Sequence, residues 1–209
     1  AGRPLPEWLA LVARELMPPK DRETACFAMF CYWEGDKALG ALDGIVATRI
    51  GSLAGREAIE VDYDPGVTPF AALLAAAKGG CRDLALFART EAQEAAALAA
   101  GLPVSKPTGS LVLHTPQKKH LSLQPDLYYL PLTEAQAVRL NAALAAKQDP
   151  TRWLAPFQGA LRKHLGEALS KRKEATLEAL AALPSLRDPR KIAQAVDAFE
   201  KGIGSGNRK

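Results

Sequence analysis

The chain has little of several features that would assign it at once to a protein class. Its 209 residues contain only three cysteines, three histidines and 6% aromatic residues. No apolar run approaches the roughly 20 residues needed to cross a bilayer, because Lys, Glu or Gln interrupts the longest alanine-rich stretches. The cysteines, Cys26, Cys31 and Cys81, are too few for a disulfide scaffold, and their odd number leaves a thiol unpaired in a monomer. These absences predict no membrane-spanning helix and exclude a disulfide-stapled domain.

Motifs that bind metals or phosphate groups are also missing. Cys31, His114, His120 and His164 offer thiol and imidazole ligands, but no Cys-x-x-Cys or His-x-x-x-His pair unites two of them. No helix follows the glycines of 202–206, so this segment is predicted to be a flexible tail rather than a phosphate-binding loop. We therefore predict neither a metal site nor a bound cofactor.

What the chain does contain is a globular composition with an uneven charge distribution. It has 48% hydrophobic and 24% charged residues, as expected for a folded domain. Residues 151–209 carry 12 Lys or Arg against 6 Asp or Glu, whereas residues 1–150 carry 15 against 17. No aromatic residues alternate with these cations, so a solvated helix face is favoured over a surface for nucleic acid or anionic membrane. The chain starts at Ala1 rather than Met, so we expect a bacterial-type cytoplasm or, for an exported form, the periplasm.

The first 100 residues alternate between patterns typical of helices and of strands. Apolar residues at helical spacing predict an N-terminal helix over 5–17, which Pro18 and Pro19 end. Four strands and three helices are then predicted, the strands over 24–31, 45–50, 58–63 and 84–88, and the helices over 33–42, 68–78 and 90–100. The order up to the fourth strand is β-α-β-β-α-β. It is typical of an α/β (α+β) fold of the ferredoxin-like kind, an antiparallel sheet with its helices on one face.

The rest of the chain changes character. Residues 102–132 are rich in Pro, Ser, Thr and Lys and include a short strand at 110–114. A capped helix is predicted over 133–146, and helical stretches over 151–166, 167–182 and 189–202 are separated by Gly166 and Pro184. The sequence thus predicts an N-terminal helix within 1–23, an α/β core over 24–131, and a helical C-terminal extension with a flexible tail over 132–209.

The thiol best placed for chemistry is Cys31. It falls where the first strand gives way to a helix, so helix amides and the helix dipole can stabilise the nucleophilic thiolate. Without a further signal, a cysteine in such an apolar run is more often a small core residue.

The residues after Cys31 resemble the signature of the A-class peptide methionine sulfoxide reductases. That signature has a Cys-Phe-Trp at a helix start, then a Pro-Gly-Val, a Thr and a Gly-x-x-Gly-Gly turn. Here the Cys-aromatic-Trp is Cys31-Tyr32-Trp33. Four further positions match the signature at thirteen, seventeen, twenty and twenty-four residues after Cys31, and they are Gly44, Thr48, Gly51 and Gly55.

The resemblance continues through the next strand and helix. The family has an acid followed eight residues later by the proline of a Tyr-Asp-Pro, and here Glu57 precedes Tyr63-Asp64-Pro65 at that spacing. Residues 90–93 resemble the family's Thr-Pro-Glu-Gln helix start. The resemblance covers roughly residues 24–100, and is faint over 114–131.

The resemblance implies the fold of these reductases and their reaction on methionine sulfoxide, free or in peptides. The Cys31 thiolate would attack the sulfoxide sulfur while Glu57, kept partly protonated by burial, protonates the departing oxygen. Tyr32 and Trp33 would form an apolar wall for the substrate methyl group. Since the first and third strands are neighbours in the ferredoxin-like order, Cys31 and Glu57 are expected to meet.

Attack leaves a sulfenic acid on Cys31, which a second thiol must resolve. Cys81 is the candidate, because it follows Gly79-Gly80 in the loop before the fourth strand. A thioredoxin-like reductant would then regenerate both thiols. Cys26 lies about 16 Å from Cys31 along an extended strand, beyond the roughly 7 Å reach of a disulfide, and is predicted to be a core residue.

The chain also departs from the family. It lacks the loop tyrosine and histidine that precede the family's acid, and Met29-Phe30 replaces the Gly-Gly before the catalytic cysteine. The hydroxyls that orient the sulfoxide oxygen would have to come from Tyr63, Tyr128 or Tyr129, or else the substrate has changed. The alternative is therefore a non-reductase descendant of the fold that binds a peptide, a metal or a partner protein.

Overall fold

Six strands form one sheet at the centre of the molecule, as seen in a computed structural model that describes residues 6–106 and 109–171. The strand order across the sheet is β5-β4-β1-β3-β2-β6. In chain order the strands are Glu23–Ala28 (β1), Ile45–Leu53 (β2), Arg56–Tyr63 (β3), Ala85–Phe87 (β4), Val104–Ser105 (β5) and Val112–Leu113 (β6).

Seven α-helices lie within the described residues. They are Glu7–Leu16 (α1), Tyr32–Gly40 (α2), Phe70–Gly80 (α3), Glu91–Ala99 (α4), Pro125–Tyr128 (α5), Glu134–Ala145 (α6) and Pro156–Lys171 (α7). Short 3₁₀ helices cover His120–Leu123 and Thr151–Trp153. The mixed α/β architecture expected from the sequence is confirmed.

The order of elements from β1 to β4 is the one that the sequence predicts. β1 lies between β3 and β4 and is antiparallel to both. The prediction of a wholly antiparallel sheet is wrong at one edge, because Val104 and Ser105 add a strand parallel to β4 that the sequence analysis did not identify. The sheet is therefore mixed.

The two faces of the sheet are covered differently because side chains alternate along each strand. On one face Phe27, Ile59 and Val61 pack with α2 and α3 in the main core. On the other face the small residues Cys26 and Ala28 pack against Ala58 and Phe87. The Asp62 side chain lies on this second face and is only 7% exposed, and Arg22 and Arg49 pair with it.

Several element boundaries differ from the prediction. β1 ends at Ala28 rather than at 31, and β2 continues through Gly51 to Leu53, so the turn shrinks to Ala54 and Gly55. Ala54 has φ 51° and Gly55 φ 75°, the left-handed conformation that a two-residue hairpin turn requires. This turn joins β2 directly to β3, and the start of β3 pairs with the end of β1.

Helix termini show which cap predictions hold. Thr133 and Gln136 form the capping box at the start of α6, the helix predicted to be capped, and Thr90 caps α4. At the start of α3, Pro69 takes the cap position, and the Thr68 hydroxyl donates to the Asp43 carbonyl.

The predicted extension begins with α6, which packs directly against the core. Val138 belongs to the main hydrophobic cluster, and its Cγ1 lies 3.1 Å from the point that a Cβ on Gly40 would occupy. The predicted break at Gly166 is wrong, since α7 runs through it to Lys171. The predicted helix over 189–202, most of that over 167–182 and the tail lie outside the described residues.

Candidate active site

Cys31 occupies the N-cap position of α2, with extended backbone angles of φ −141° and ψ 114°. Its carbonyl accepts a hydrogen bond from the Glu34 amide at 3.2 Å, which starts the first turn of the helix. The residue is half-buried and its thiol is free. Cys31 therefore lies at the start of a helix, as the sequence predicts, but its side chain makes no capping hydrogen bond with the helix amides.

Glu57 lies beside Cys31 because β1 and β3 pair antiparallel. Ala28 is opposite Ala58, and the Met29 amide donates to the Glu57 carbonyl at 3.1 Å. The Glu57 Oε2 atom then accepts from the Tyr32 amide, the first amide of α2, at 3.2 Å. The expectation that the end of the first strand meets the start of the third is confirmed.

The setting of Glu57 differs from the one expected. The residue is exposed, whereas the sequence argument gave its carboxyl a buried environment. Its carboxylate is held by a backbone amide at the rim of the site. Glu57 therefore lies at the start of α2, on the amide of the residue after Cys31.

Cys81 is the third predicted residue, and the chain brings it to the same place. Beyond the β1–β4 ladder, the Phe30 amide donates to the Arg82 carbonyl at 2.9 Å. Cys31 and Cys81 are the next residues outward on these two antiparallel segments. The Cys81 Sγ atom lies 3.6 Å from the point that a Cβ on Gly35 would occupy, one helical turn after Cys31.

The environment of Cys81 keeps its thiol protonated. Burial first, then the negative charges of Glu34 and of Cys31, raise the pKa of the Cys81 thiol to about 11. At neutral pH it therefore reacts only if its proton is removed during the reaction.

Cys26 is separated from this site. Its side chain is fully buried on the opposite face of the sheet, where it packs with Ala58 and Phe87. Burial raises its pKa to about 11, although Arg89 opposes the rise. Cys26 is a core residue, as predicted.

Tyr32 and Trp33 form part of an aromatic cluster next to the thiol. The two rings stack at 6.0 Å between centroids, and both residues are half-buried. His114 packs edge-on against Tyr32 at 5.6 Å, and His120 against Trp33 at 4.6 Å. Burial lowers the pKa of His120, although the charge of Asp36 opposes this.

From the sequence, His114 and His120 were candidates only as metal ligands. Their approach to the site depends on the loop after β6, which Gln117 ties to β2 by hydrogen bonds to the amide and carbonyl of Ile50, both at 2.8 Å. His114 Nε2 is also 3.0 Å from Ser52 Oγ. Within residues 6–106 and 109–171, no three His, Cys, Asp or Glu side chains are grouped to hold a metal ion.

Tyr63 is the predicted site residue that the structure does not bring to the others. It lies at the far end of β3, six residues from Glu57, which is about 20 Å along a strand. Its side chain is fully buried, and its hydroxyl donates to the Glu23 carboxylate at 2.5 Å. Burial and then this carboxylate raise the pKa of Tyr63.

Tyr128, the last residue of α5, and Tyr129, which follows it, pack edge-on with 5.2 Å between their ring centroids.

Sequence reasoning missed Phe30 and Glu34. Phe30 is 62% exposed beside Cys31, and the Arg82 guanidinium lies 4.7 Å above its ring. Glu34 Oε1 is 3.4 Å from Arg82 Nη2, while its Oε2 is buried without a hydrogen-bond partner. The available signal was the position of Glu34 three residues after Cys31, on the first turn of the same helix.

A buried ion pair fixes the helix that carries Cys31. The Asp36 side chain is 2% exposed, and its carboxylate accepts from Thr48 Oγ1 at 2.5 Å and from Asn141 Nδ2 at 2.7 Å. Lys119 Nζ lies 3.4 Å from the same carboxylate and donates to the Thr48 carbonyl at 2.8 Å. Thr48, matched to the family by residue type and spacing, thus anchors α2 to β2.

Comparison with known proteins does not assign the chain to a family. No protein-family model matches it, and no curated protein matches it either. Among the helices of residues 6–106 and 109–171, none has the length and apolar character needed to cross a membrane.

An open groove of about 570 Å³ lies between α5 and α7 and is lined in part by Asp126 and Arg162. It contains none of the residues around Cys31.

Proposed function

We propose that this protein is a thiol-dependent reductase of methionine S-sulfoxide, with the ferredoxin-like fold of the A-class reductases. The observation that carries the proposal is the convergence of Cys31, Glu57 and Cys81 at the N-terminus of α2. A half-buried thiol at a helix start, a carboxylate on the adjacent amide and a second thiol on the neighbouring segment are the groups that the reaction needs.

The first step forms a sulfenic acid. The Cys31 thiolate attacks the sulfoxide sulfur, and the sulfur–oxygen bond of the substrate breaks as that oxygen is transferred to Cys31. Glu57 supplies a proton to the oxygen. The sulfoxide is reduced to a thioether, methionine, and Cys31 is oxidised to the sulfenic acid.

The second step forms a disulfide. The Cys81 sulfur attacks the Cys31 sulfur, a sulfur–sulfur bond forms, and the sulfenic oxygen leaves as water. A thioredoxin-like dithiol, supplied from outside, then reduces the disulfide and completes the cycle. No bound cofactor takes part.

The substrate methyl group would contact Tyr32 and Trp33, whose half-buried rings lie directly after Cys31 on α2. The reaction repairs methionine that has been oxidised during oxidative stress. A bacterial-type cytoplasm or periplasm is the compartment that we propose.

A single-turnover assay tests this function. Pre-reduced protein is mixed with N-acetylmethionine S-sulfoxide or a peptide that contains the sulfoxide, and methionine product and remaining thiols are counted. We expect one methionine and the loss of two thiols per chain. Cys31→Ser abolishes both, Cys81→Ser forms methionine but no disulfide, and Cys26→Ala, a substitution on the opposite sheet face, changes neither.

A peptide- or partner-binding module without reductase activity is the second candidate. The exposure of Glu57 favours it, because the resemblance to the reductases implies a buried acid at this position. In that case the assay yields no methionine and Cys31 keeps its thiol.

A further inference from the structure

Ser52 and His114 form a polar pair at the edge of the sheet next to Tyr32. His114 Nε2 lies 3.0 Å from Ser52 Oγ, and both side chains are half-buried. Ser52 is in β2, and His114 directly follows the edge strand β6. The His114 amide donates to the Ile50 carbonyl at 3.1 Å, which holds the histidine in place along β2. The backbone of two neighbouring strands therefore fixes the imidazole on the Ser52 hydroxyl.

The strand register places Ser52 beside Glu57. The two residues are directly opposite each other in the β2–β3 ladder. Opposite residues of an antiparallel pair point to the same face of the sheet, with their Cβ atoms about 5 Å apart. That face is the one that α2 covers, because Ile50 and Ile59, two residues along each strand, belong to the main core.

Tyr32 connects the Ser52–His114 pair to Glu57 and to the thiol. Its amide donates to Glu57 Oε2 at 3.2 Å, and its ring packs edge-on against His114 with 5.6 Å between the ring centroids. Tyr32 directly follows Cys31 in the chain. Ser52, His114, Tyr32 and Glu57 thus form a closed ring of contacts next to Cys31.

Reduction of a sulfoxide requires a hydrogen-bond donor at its oxygen. The sulfur–oxygen bond is polarised, and negative charge grows on the oxygen as a thiolate attacks the sulfur. Glu57 can donate only the proton that it transfers, and afterwards its carboxylate only accepts. A serine hydroxyl accepts one hydrogen bond while it donates another. With the proton of His114 on Nε2, Ser52 accepts from the imidazole and its own O–H remains free to donate.

We propose that Ser52 donates a hydrogen bond to the sulfoxide oxygen during the first step, and that His114 is the positioning residue that orients this hydroxyl. The inference rests on the proposed function and deepens it, because it assigns recognition of the substrate oxygen. Ser52 keeps its proton throughout. The sulfur–oxygen bond still breaks with transfer of the oxygen to Cys31 and of a proton from Glu57, so no further reactant is required.

The test measures single-turnover formation of methionine at saturating N-acetylmethionine S-sulfoxide. Ser52→Ala removes the hydroxyl, and Ser52→Thr and Ser52→Val are an isosteric pair that differ in the hydroxyl alone. His114→Ala and the double variant Ser52→Ala/His114→Ala test the positioning role. Ser105→Ala is the matched control, because Ser105 is an exposed strand serine at the opposite edge of the sheet.

Three further measurements on the same variants do not involve the sulfoxide oxygen. N-acetylmethionine, the product that lacks this oxygen, is used as a competitive inhibitor. Iodoacetamide measures the reactivity of the Cys31 thiolate. Hydrogen peroxide oxidises Cys31 without a sulfoxide, and the yield of the Cys31–Cys81 disulfide then shows whether the two thiols still meet.

In Ser52→Ala we expect methionine formation to be slower by about 10²-fold, the loss that follows removal of one donor to a developing oxyanion. Ser52→Val shows the same loss, whereas Ser52→Thr keeps most of the wild-type rate. The inhibition constant of N-acetylmethionine, the alkylation rate of Cys31 and the disulfide yield stay at their wild-type values. Ser105→Ala matches wild type in every measurement.

The double variant tests whether His114 acts through Ser52. We expect His114→Ala alone to slow methionine formation by about tenfold, and the double variant to be no slower than Ser52→Ala. Losses that multiply in the double variant would overturn the positioning role of His114.

A wild-type rate of methionine formation in Ser52→Ala or Ser52→Val would overturn the assignment of Ser52 and leave the proposed function in place. An equal loss in Cys31 alkylation or in product binding would also overturn it, since Ser52 would then support the local structure. A wild-type protein that forms no methionine is the separate result that overturns the proposed function, and this assignment with it.

Discussion

At the scale of single residues, the thiols of Cys31 and Cys81 lie in different environments. Cys31 lies at the start of α2, whereas Cys81 is half-buried against the main core, where burial and then the charges of Glu34 and Cys31 raise the pKa of its thiol. Under the proposed function, this difference suits Cys31 as the nucleophile that reacts first and Cys81 as the resolving thiol.

The raised pKa of Cys81 predicts the pH dependence of its alkylation. Burial, then the charges of Glu34 and Cys31, raise that pKa to about 11, so the thiolate fraction grows about tenfold per pH unit between about pH 7 and pH 10. In the Cys31→Ser variant we expect the rate of iodoacetamide modification at Cys81, followed by mass spectrometry, to rise in proportion. The added Glu34→Gln substitution removes a negative charge and shifts the rise to lower pH.

Cys26 is the internal control for this measurement. Its pKa is also about 11, but its side chain is fully buried in the sheet, so it is not modified until the protein unfolds. A Cys81 rate that levels off below pH 9 would contradict the environment described for it.

At the scale of elements, the close approach of α2 and α3 positions Cys81. A Cβ on Gly80 would lie 2.5 Å from the Cβ of Ala38, closer than two carbon atoms can approach, whereas a Cβ on Gly79 would meet nothing within 4 Å. The last residue of α3 is thus a glycine because the backbone there touches α2. Cys81 follows it directly.

Gly80→Ala and Gly79→Ala form a matched pair. We expect Gly80→Ala to push the end of α3 away from α2, to lower the free energy of unfolding by about 1–3 kcal/mol, and to slow the formation of the Cys31–Cys81 disulfide. Gly79→Ala, which adds the same methyl group in open space, leaves disulfide formation unchanged and does not lower stability. Urea unfolding and the peroxide-driven disulfide assay measure both effects. Equal behaviour of the two variants would show that helix contact does not position Cys81.

At the scale of the whole molecule, one buried carboxylate joins the sheet, the helix of the site and the C-terminal region. Asp36 of α2 binds Thr48 of β2, Asn141 of α6 and Lys119 of the loop between them. The predicted core and extension are therefore joined by a buried polar contact, the hydrogen bond from Asn141 to Asp36. A buried charge that loses its partner is strongly unfavourable, so this contact couples the parts.

Asp36→Asn is expected to lower the free energy of unfolding by about 3 kcal/mol, because Lys119 keeps its charge while its partner is neutralised. Asp21→Asn, at an exposed position, serves as the control and changes stability little. Urea unfolding is followed by circular dichroism and by the fluorescence of Trp8, Trp33 and Trp153. We expect one transition with both probes. Two separate transitions would show that the extension folds independently.

The candidate site could be predicted from the sequence where its residues are close to a turn or a cap. Cys31 at a helix start follows from a local pattern, Glu57 follows from its spacing in the family resemblance, and the strand order then places them together. His120 and Glu34 could not be predicted. His120 reaches Trp33 only through a loop tied by Gln117 and Lys119, and Glu34 matters only because one of its oxygens has no partner.

Local sequence patterns determined the order of β1 to β4, the cap at Thr133 and the place of Cys31 at a helix start, since each depends on residues near in the chain. The tertiary structure decided the parallel strand β5, the burial of Tyr63 with its hydrogen bond to Glu23, and the Asp36 contact with Asn141. These depend on residues far apart in the chain, whose proximity is set by packing of the whole core rather than by any local pattern.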